Sequence, residues 1–220
     1  MERRQRLSRL AFRAAILVAV IAAGFGVLLI ARPKSPTTGP TLASGSPTVS
    51  PGALPGMLTG PAPWPNNTAD LQARLSAIGL PALASEGTVL HIHQHLDIFI
   101  DGKKETVPAE IGILTSPQTI FSPLHTHDTS GIIHVESPTQ ASFTLGQFFD
   151  VWGVRFTQSC IGGYCASHGK TVQVFVNGHK VTGDPAQVEL QPHQEIVVAY
   201  GTDAELPSPV PSSYTFPLGL

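Results

Sequence analysis

Six of the nine histidines in this 220-residue chain fall in two tight clusters, His91-Ile92-His93-Gln94-His95 and His125-Thr126-His127 with His134 shortly after. Neutral imidazole is the commonest metal ligand among side chains, so this spacing points to metal binding. Both clusters lie in stretches that alternate as β-strands do, with every second side chain on one face. In the first, His91, His93, His95, Asp97 and Phe99 share a face, and Ile92, Gln94, Leu96, Ile98 and Ile100 share the other. The apolar set belongs against a core, which leaves the histidines where water, a metal or a substrate can reach them. In the second, a four-residue loop from Asp128 to Gly131 pairs His127 with Ile132 and His125 with His134. Opposed residues share a face, so His125, His127, His134 and Glu136 project together. A loop one residue longer or shorter reverses that parity and separates His134 from the pair.

Two histidines two apart on one strand and a third from its neighbour supply three nitrogens around an open fourth position, with metal–nitrogen distances of ~2.0–2.1 Å. In these three residues, His125, His127 and His134, the chain locally resembles the zinc site of the α-carbonic anhydrases. His125-Thr126-His127 is also similar to the opening His-x-His of cupin proteins, with Asp128 and Gly131 where a glutamate is expected. The strand carrying His91, His93 and His95 contributes to the same site or forms a second one. Imidazole-rich sites suit Zn(II), Cu(II), Ni(II) or Fe(II), and zinc or copper is the expected ion here. Methionine is confined to Met1 and Met57, which argues against a thioether-based Cu(I) carrier. Glu136 and Asp97 are the catalytic candidates, as bases for a metal-activated water in hydrolysis or hydration. Each could equally be an ordinary surface acid, and Asp128 an Asx-turn residue.

Cys160 and Cys165 are the only cysteines, with four residues between them, which is not the Cys-x-x-Cys spacing of thiol oxidoreductases. A disulfide is the simplest reading. A soft-ligand site completed by His168, or a thiol–disulfide exchange partner, are the alternatives.

The elements that must position these groups read as an α+β domain: a mostly antiparallel sheet with one or two short helices. Leu71, Leu75 and Ile78 share a helix face that ends at Gly79 and Pro81. Asp101-Gly102 and Asn177-Gly178 are hairpin turns, the first joining Thr88–Ile100 to Lys104–Val107, the second joining Thr171–Val176 to Lys180–Val181. A last strand covers Glu195–Tyr200. Thr144-Leu145-Gly146-Gln147 has capping-box spacing, with Phe143 and Phe148 placed as a hydrophobic staple and Gly153 as the stop.

Outside that domain, residues 1–13 form a basic N-terminus with five arginines against Glu2. Residues 14–31 are free of charge, about 27 Å of helix at ~1.5 Å per residue, close to the ~30 Å of a bilayer core. They read as a single-pass transmembrane anchor with a cytoplasmic N-terminus, because no small-residue cleavage site follows. Residues 32–66 are rich in proline, serine, threonine and glycine and read as a linker. The extracytoplasmic domain is expected over residues 67–203 and an irregular tail over residues 204–220. Beyond Lys34 lie six basic against 14 acidic side chains, a net charge of −8 with histidine neutral. That balance disfavours a nucleic-acid partner, which needs dense Lys and Arg.

The resulting expectation is a membrane-anchored extracytoplasmic domain that binds zinc or copper through strand-borne histidines. The alternative from another class is a non-catalytic cell-surface interaction or structural module with incidental histidines.

Overall fold

The longest alternating segment becomes the central strand. The computed structural model describes residues 54–220, and in it β1 spans Leu90–Ile100. Before it lies the helix α1, Leu71–Ile78, whose Leu71 and Leu75 are fully buried and whose chain leaves through Gly79 in the left-handed region. After β1 the chain forms β2 Lys103–Glu105, β3 Ile113–Leu114, β4 Ile120–Phe121, β5 Leu124–His125 and β6 Ile132–Ser137. Helix α2, Leu145–Trp152, follows, then β7 Cys160–Ile161, β8 Tyr164–Cys165, β9 Thr171–Val176, β10 His179–Lys180 and β11 Glu195–Gly201.

The main sheet has the order β10-β9-β11-β1-β6-β5, with β2 also paired to β1. Its pairings are antiparallel except β1 with β11, which run parallel with His95 opposite Glu195 and Ile100 opposite Tyr200. The fold is therefore α+β, as the sequence implies, but built around one parallel pair whose partners are far apart in sequence. Both expected hairpins form, and their Asp101-Gly102 and Asn177-Gly178 turns have positive φ at both residues, the conformation that suits these residue types. In α2, Thr144 accepts from the Gln147 amide at 3.3 Å and the Gln147 side chain accepts from the Thr144 amide at 2.9 Å, closing the capping box.

Both helices pack on one face of the sheet. There Leu96, Ile98, Ile100, Leu124, Ile133, Val135, Ile196 and Val198 meet Leu75, Leu145, Phe148, Phe149 and Trp152 in one core. The opposite face carries the histidines and is covered more than the alternation suggests. Phe175, Val197 and Ala199 form a second small cluster there with Phe99, Leu206 and Val210, the last two from residues 204–220. That tail lies on the domain: the Tyr214 ring stacks on His95 with centroids 3.7 Å apart.

The N-terminal boundary also differs from the sequence reading. Residues 54–66, counted with the linker for their prolines, pack into the domain. Leu54 and Trp64 are buried, and Trp64 meets Trp152 and Tyr164 edge-on. Leu58 exchanges main-chain hydrogen bonds with Gly153 and Arg155. The buried Arg74 guanidinium fastens this segment by donating to the carbonyls of Pro55, Asn67 and Val151, the last at the negative end of α2. A proline-rich composition says how stiff a segment is, not whether its few aromatic residues find a core. The basic terminus, the anchor and residues 32–53 of the linker lie outside the described residues. Among the described residues no helix is long and apolar enough to cross a membrane.

The turn between β5 and β6 sets the side-chain parity of both strands. Asp128 accepts from the Ser130 amide at 2.8 Å, the Asx-turn, and Gly131 follows at φ +90°. A Cβ there would stand 2.6 Å from the Leu96 carbonyl oxygen and 3.1 Å from His95 Nε2. Gly131→Ala is expected to cost on the order of 1–3 kcal/mol from the forced backbone conformation alone. Urea denaturation checks this, and an unchanged midpoint would show that the turn tolerates a side chain.

Candidate metal centre

Strands β1, β6 and β5 lie side by side, and their register puts the histidines in rows. His93 is opposite His134, His134 is opposite His125, and His91 is opposite Glu136. The sequence argument for β5 and β6 required His125 facing His134, and that register is present. Residues on one face of adjacent strands stand close enough for long side chains to meet. Here they do: the His134 ring lies 4.6 Å from His93, 4.4 Å from His127 and 5.4 Å from His125.

The ring nitrogens converge. His91 Nε2 is 3.1 Å from His93 Nε2, and His125 Nε2 is 3.3 Å from His127 Nε2. Glu136 Oε1 stands 3.2 Å from His91 Nε2, 3.2 Å from His134 Nδ1 and 3.9 Å from His125 Nε2. Two sets of donor atoms each lie within 4.8 Å of one another: His91, His93, His134 and Glu136, and His125, His127, His134 and Glu136. The two histidine clusters of the sequence thus merge through the two residues contributed by β6. Ligands at ~2.0–2.1 Å from a tetrahedral ion stand roughly 3.3 Å apart, so these nitrogen and oxygen spacings suit one.

His95 and Asp97, grouped with the cluster in the sequence reading, stand apart from it. His95 is one row further along the same face. Its Nδ1 lies 2.6 Å from Glu195 Oε2, and its Nε2 donates to the Ser130 carbonyl at 3.0 Å. Asp97 Oδ1 holds the Lys104 ammonium at 2.6 Å, so it is not placed to serve the cluster as a base. His95, Asp97 and Glu195 also have donor atoms within 4.8 Å of one another, but they already have cationic and hydrogen-bonding partners within the protein. The alternation correctly put His95 on the histidine face. It could not show that β11 would bring Glu195 beside it.

Glu86 is the residue that sequence reasoning missed. Its Oε1 lies 3.3 Å from His127 Nε2 and 3.9 Å from His125 Nε2. It precedes β1 in a segment with no periodicity, and the one local hint is the next residue. A Cβ on Gly87 would come within 2.2 Å of the Ser137 main chain, so glycine lets this segment close against the end of β6. His193, in the turn before β11, also reaches the area: its amide donates to the His93 carbonyl at 2.7 Å.

Burial divides the cluster. His93, His125 and His134 are 5%, 0% and 8% exposed, whereas the side chains of His91, His127 and Glu86 are 49%, 42% and 40% exposed and form its open edge. Desolvation, reinforced by neighbouring imidazoles, pushes His93 and His125 down to about 4 and His134 to about 3. The same burial, together with Glu86, pushes Glu136 up. The buried rings are therefore neutral and offer lone pairs down to lower pH than the ~6.5 of a free imidazole. His125 Nδ1 donates to the Ser122 carbonyl at 3.0 Å, which leaves Nε2 as its ligand atom.

The cysteines lie elsewhere. Cys160 and Cys165 are joined in a disulfide that closes the β7–β8 hairpin, so neither sulfur is free for a soft-ligand site with His168. His168 is exposed, in a turn.

Compared with known proteins, the chain matches no family model, no curated protein and no solved structure. The likeness to α-carbonic anhydrases and cupins is confined to the few histidines that suggested it.

The lowered imidazole values make stability pH-dependent in a defined direction. Unfolded histidine takes up its proton near ~6.5, while the folded rings resist until about 4 or below, so acid favours the unfolded chain between those limits. Their contribution is complete above pH ~6.5 and is lost as pH falls toward ~4. For the fully buried His125 alone the loss is on the order of 3 kcal/mol. Urea titrations in the presence of a chelator, at about pH 7 and about pH 4, measure it; His125→Gln is expected to flatten part of the dependence.

Proposed function

We propose that this protein binds a divalent transition metal, zinc or copper, through His91, His93, His125, His127, His134 and Glu136, on the outer side of a membrane to which residues 14–31 tether it. The observation that carries this reading is the pair of imidazole–imidazole contacts, at 3.1 and 3.3 Å, arranged around one carboxylate oxygen on a buried sheet face. Neutral rings held at ligand-to-ligand spacing, with the His125 tautomer fixed from behind by Ser122, are what a metal requires of its donors. The nitrogen-rich, sulfur-free donor set favours zinc or Cu(II) over Cu(I).

The open edge at His91 and His127 gives water and small substrates access to the cluster. Metal-assisted hydration or hydrolysis is the reaction class this permits, with Glu136 rather than Asp97 as the nearby proton acceptor. The tether is supported by the uncharged run after five arginines, and an outer location by the disulfide, since such bonds persist in oxidising compartments.

Two measurements test these points. Elemental analysis of the full chain purified in detergent is expected to find zinc or copper in the wild type and clearly less in the His125→Ala, His127→Ala, His134→Ala triple variant. Equal metal content in both would remove the site. Separately, deleting residues 14–31 is expected to move the protein from the membrane fraction to the soluble fraction, and a protein that stays with the membrane would refute the tether.

A further inference from the structure

We infer that the cluster is a two-ion centre in which Glu136 bridges the ions and Glu86 belongs to the second. This rests on the reading that the cluster binds metal and goes beyond it in number and arrangement.

The argument begins with supply. Five imidazoles and two carboxylates surround one patch of the sheet, whereas a tetrahedral zinc site takes four ligands. The donors also divide by strand. On one side β1 supplies His91 and His93, whose Nε2 atoms are 3.1 Å apart. On the other, β5 and the residues after it supply His125 and His127, whose Nε2 atoms are 3.3 Å apart. Between them runs β6 with His134 and Glu136, paired in register to both neighbours. Adjacent strands are ~4.8 Å apart, so the two flanking pairs are rooted about 10 Å from each other, and their donor atoms fall into two sets rather than one. Each pair instead has its own carboxylate oxygen within ligand-to-ligand range: Glu136 Oε1 is 3.2 Å from His91, and Glu86 Oε1 is 3.3 Å from His127. Glu136 Oε1 also reaches toward the second pair, 3.9 Å from His125 Nε2. It is the carboxylate oxygen common to both donor sets, which is the position of a bridging carboxylate in sites whose ions lie ~3.5–4 Å apart. His134 lies in both sets as well, but one ring nitrogen has one lone pair and would serve one ion, so Glu136 alone is placed to bridge.

The test is stoichiometry, read on the full chain in detergent with Zn(II) alone as the probe, after gel filtration to remove loosely held metal. The wild type is expected to retain two equivalents. Glu86→Gln, a conservative change at a half-exposed side chain, is expected to retain one, and so is His91→Ala with His93→Ala, which empties the other half. One equivalent in the wild type, unchanged by Glu86→Gln, would overturn the two-ion inference while leaving a single-ion site intact. No retained metal would overturn the underlying reading as well. Two equivalents in Glu86→Gln would overturn the assignment of Glu86. Loading with Cu(II) reports the bridge independently: integrated electron-spin intensity well below the copper content indicates coupled ions, and full intensity at two equivalents would overturn the bridge.

Discussion

Backbone hydrogen bonding across β1, β6 and β5 holds His93, His134 and His125 in a single row with Glu136 and His91 in the next, and the other features of the site follow from that alignment. Because side chains alternate with a period of two, a slip of one residue in either pairing would turn one histidine set into the helix-packed core and bring isoleucine or valine onto the ligand face. The apolar residues between the histidines guard against such a slip. Ile133, Val135, Leu96 and Leu124 are fully buried against the helices, so changing the register would take them out of the apolar core and put imidazole rings in their place.

A second constraint is the covering of the histidine face. Leu206, Val210 and Tyr214 lie over the middle and far end of the sheet, while the His91–His127 edge remains open. The tail thus covers His95 and the residues beyond it and leaves the outer rings of the cluster accessible. Packing several imidazoles together in low dielectric is unfavourable if they take up protons, and the depressed values of His93, His125 and His134 express that physical cost. A bound metal ion would convert the same crowding into favourable coordination, because it needs the deprotonated rings that burial has already selected.

The rest of the molecule braces this arrangement. Arg74 ties the end of α2 to the segment around Pro55 and Asn67, and Trp64 fills the space between Trp152 and the disulfide-closed hairpin. A Cβ on Gly162 would stand 2.3 Å from the Trp64 ring, so the glycines between Cys160 and Cys165 serve packing as well as the turn. These contacts lie on the far side of the sheet from the histidines and stiffen the platform on which the rings are mounted.

Local chemistry was legible in the sequence because its causes are local. Asp-Gly and Asn-Gly make hairpins by tolerating positive φ, Thr144 and Gln147 cap a helix from three residues apart, and alternation assigns His91, His93, His125, His127 and His134 to one face of their strands. The loop from Asp128 to Gly131 even fixed the pairing of His125 with His134. What only the tertiary structure decided depends on neighbours that no window of sequence contains. The parallel pairing of β1 with β11 took His95 away to Glu195, the close approach at Gly87 brought Glu86 in, and side-by-side placement of β1 and β5 on β6 merged two clusters into one centre. A residue's type and spacing determine which way it points. Which other residues it meets is settled by long-range burial, where the free energy of the whole core selects strand order.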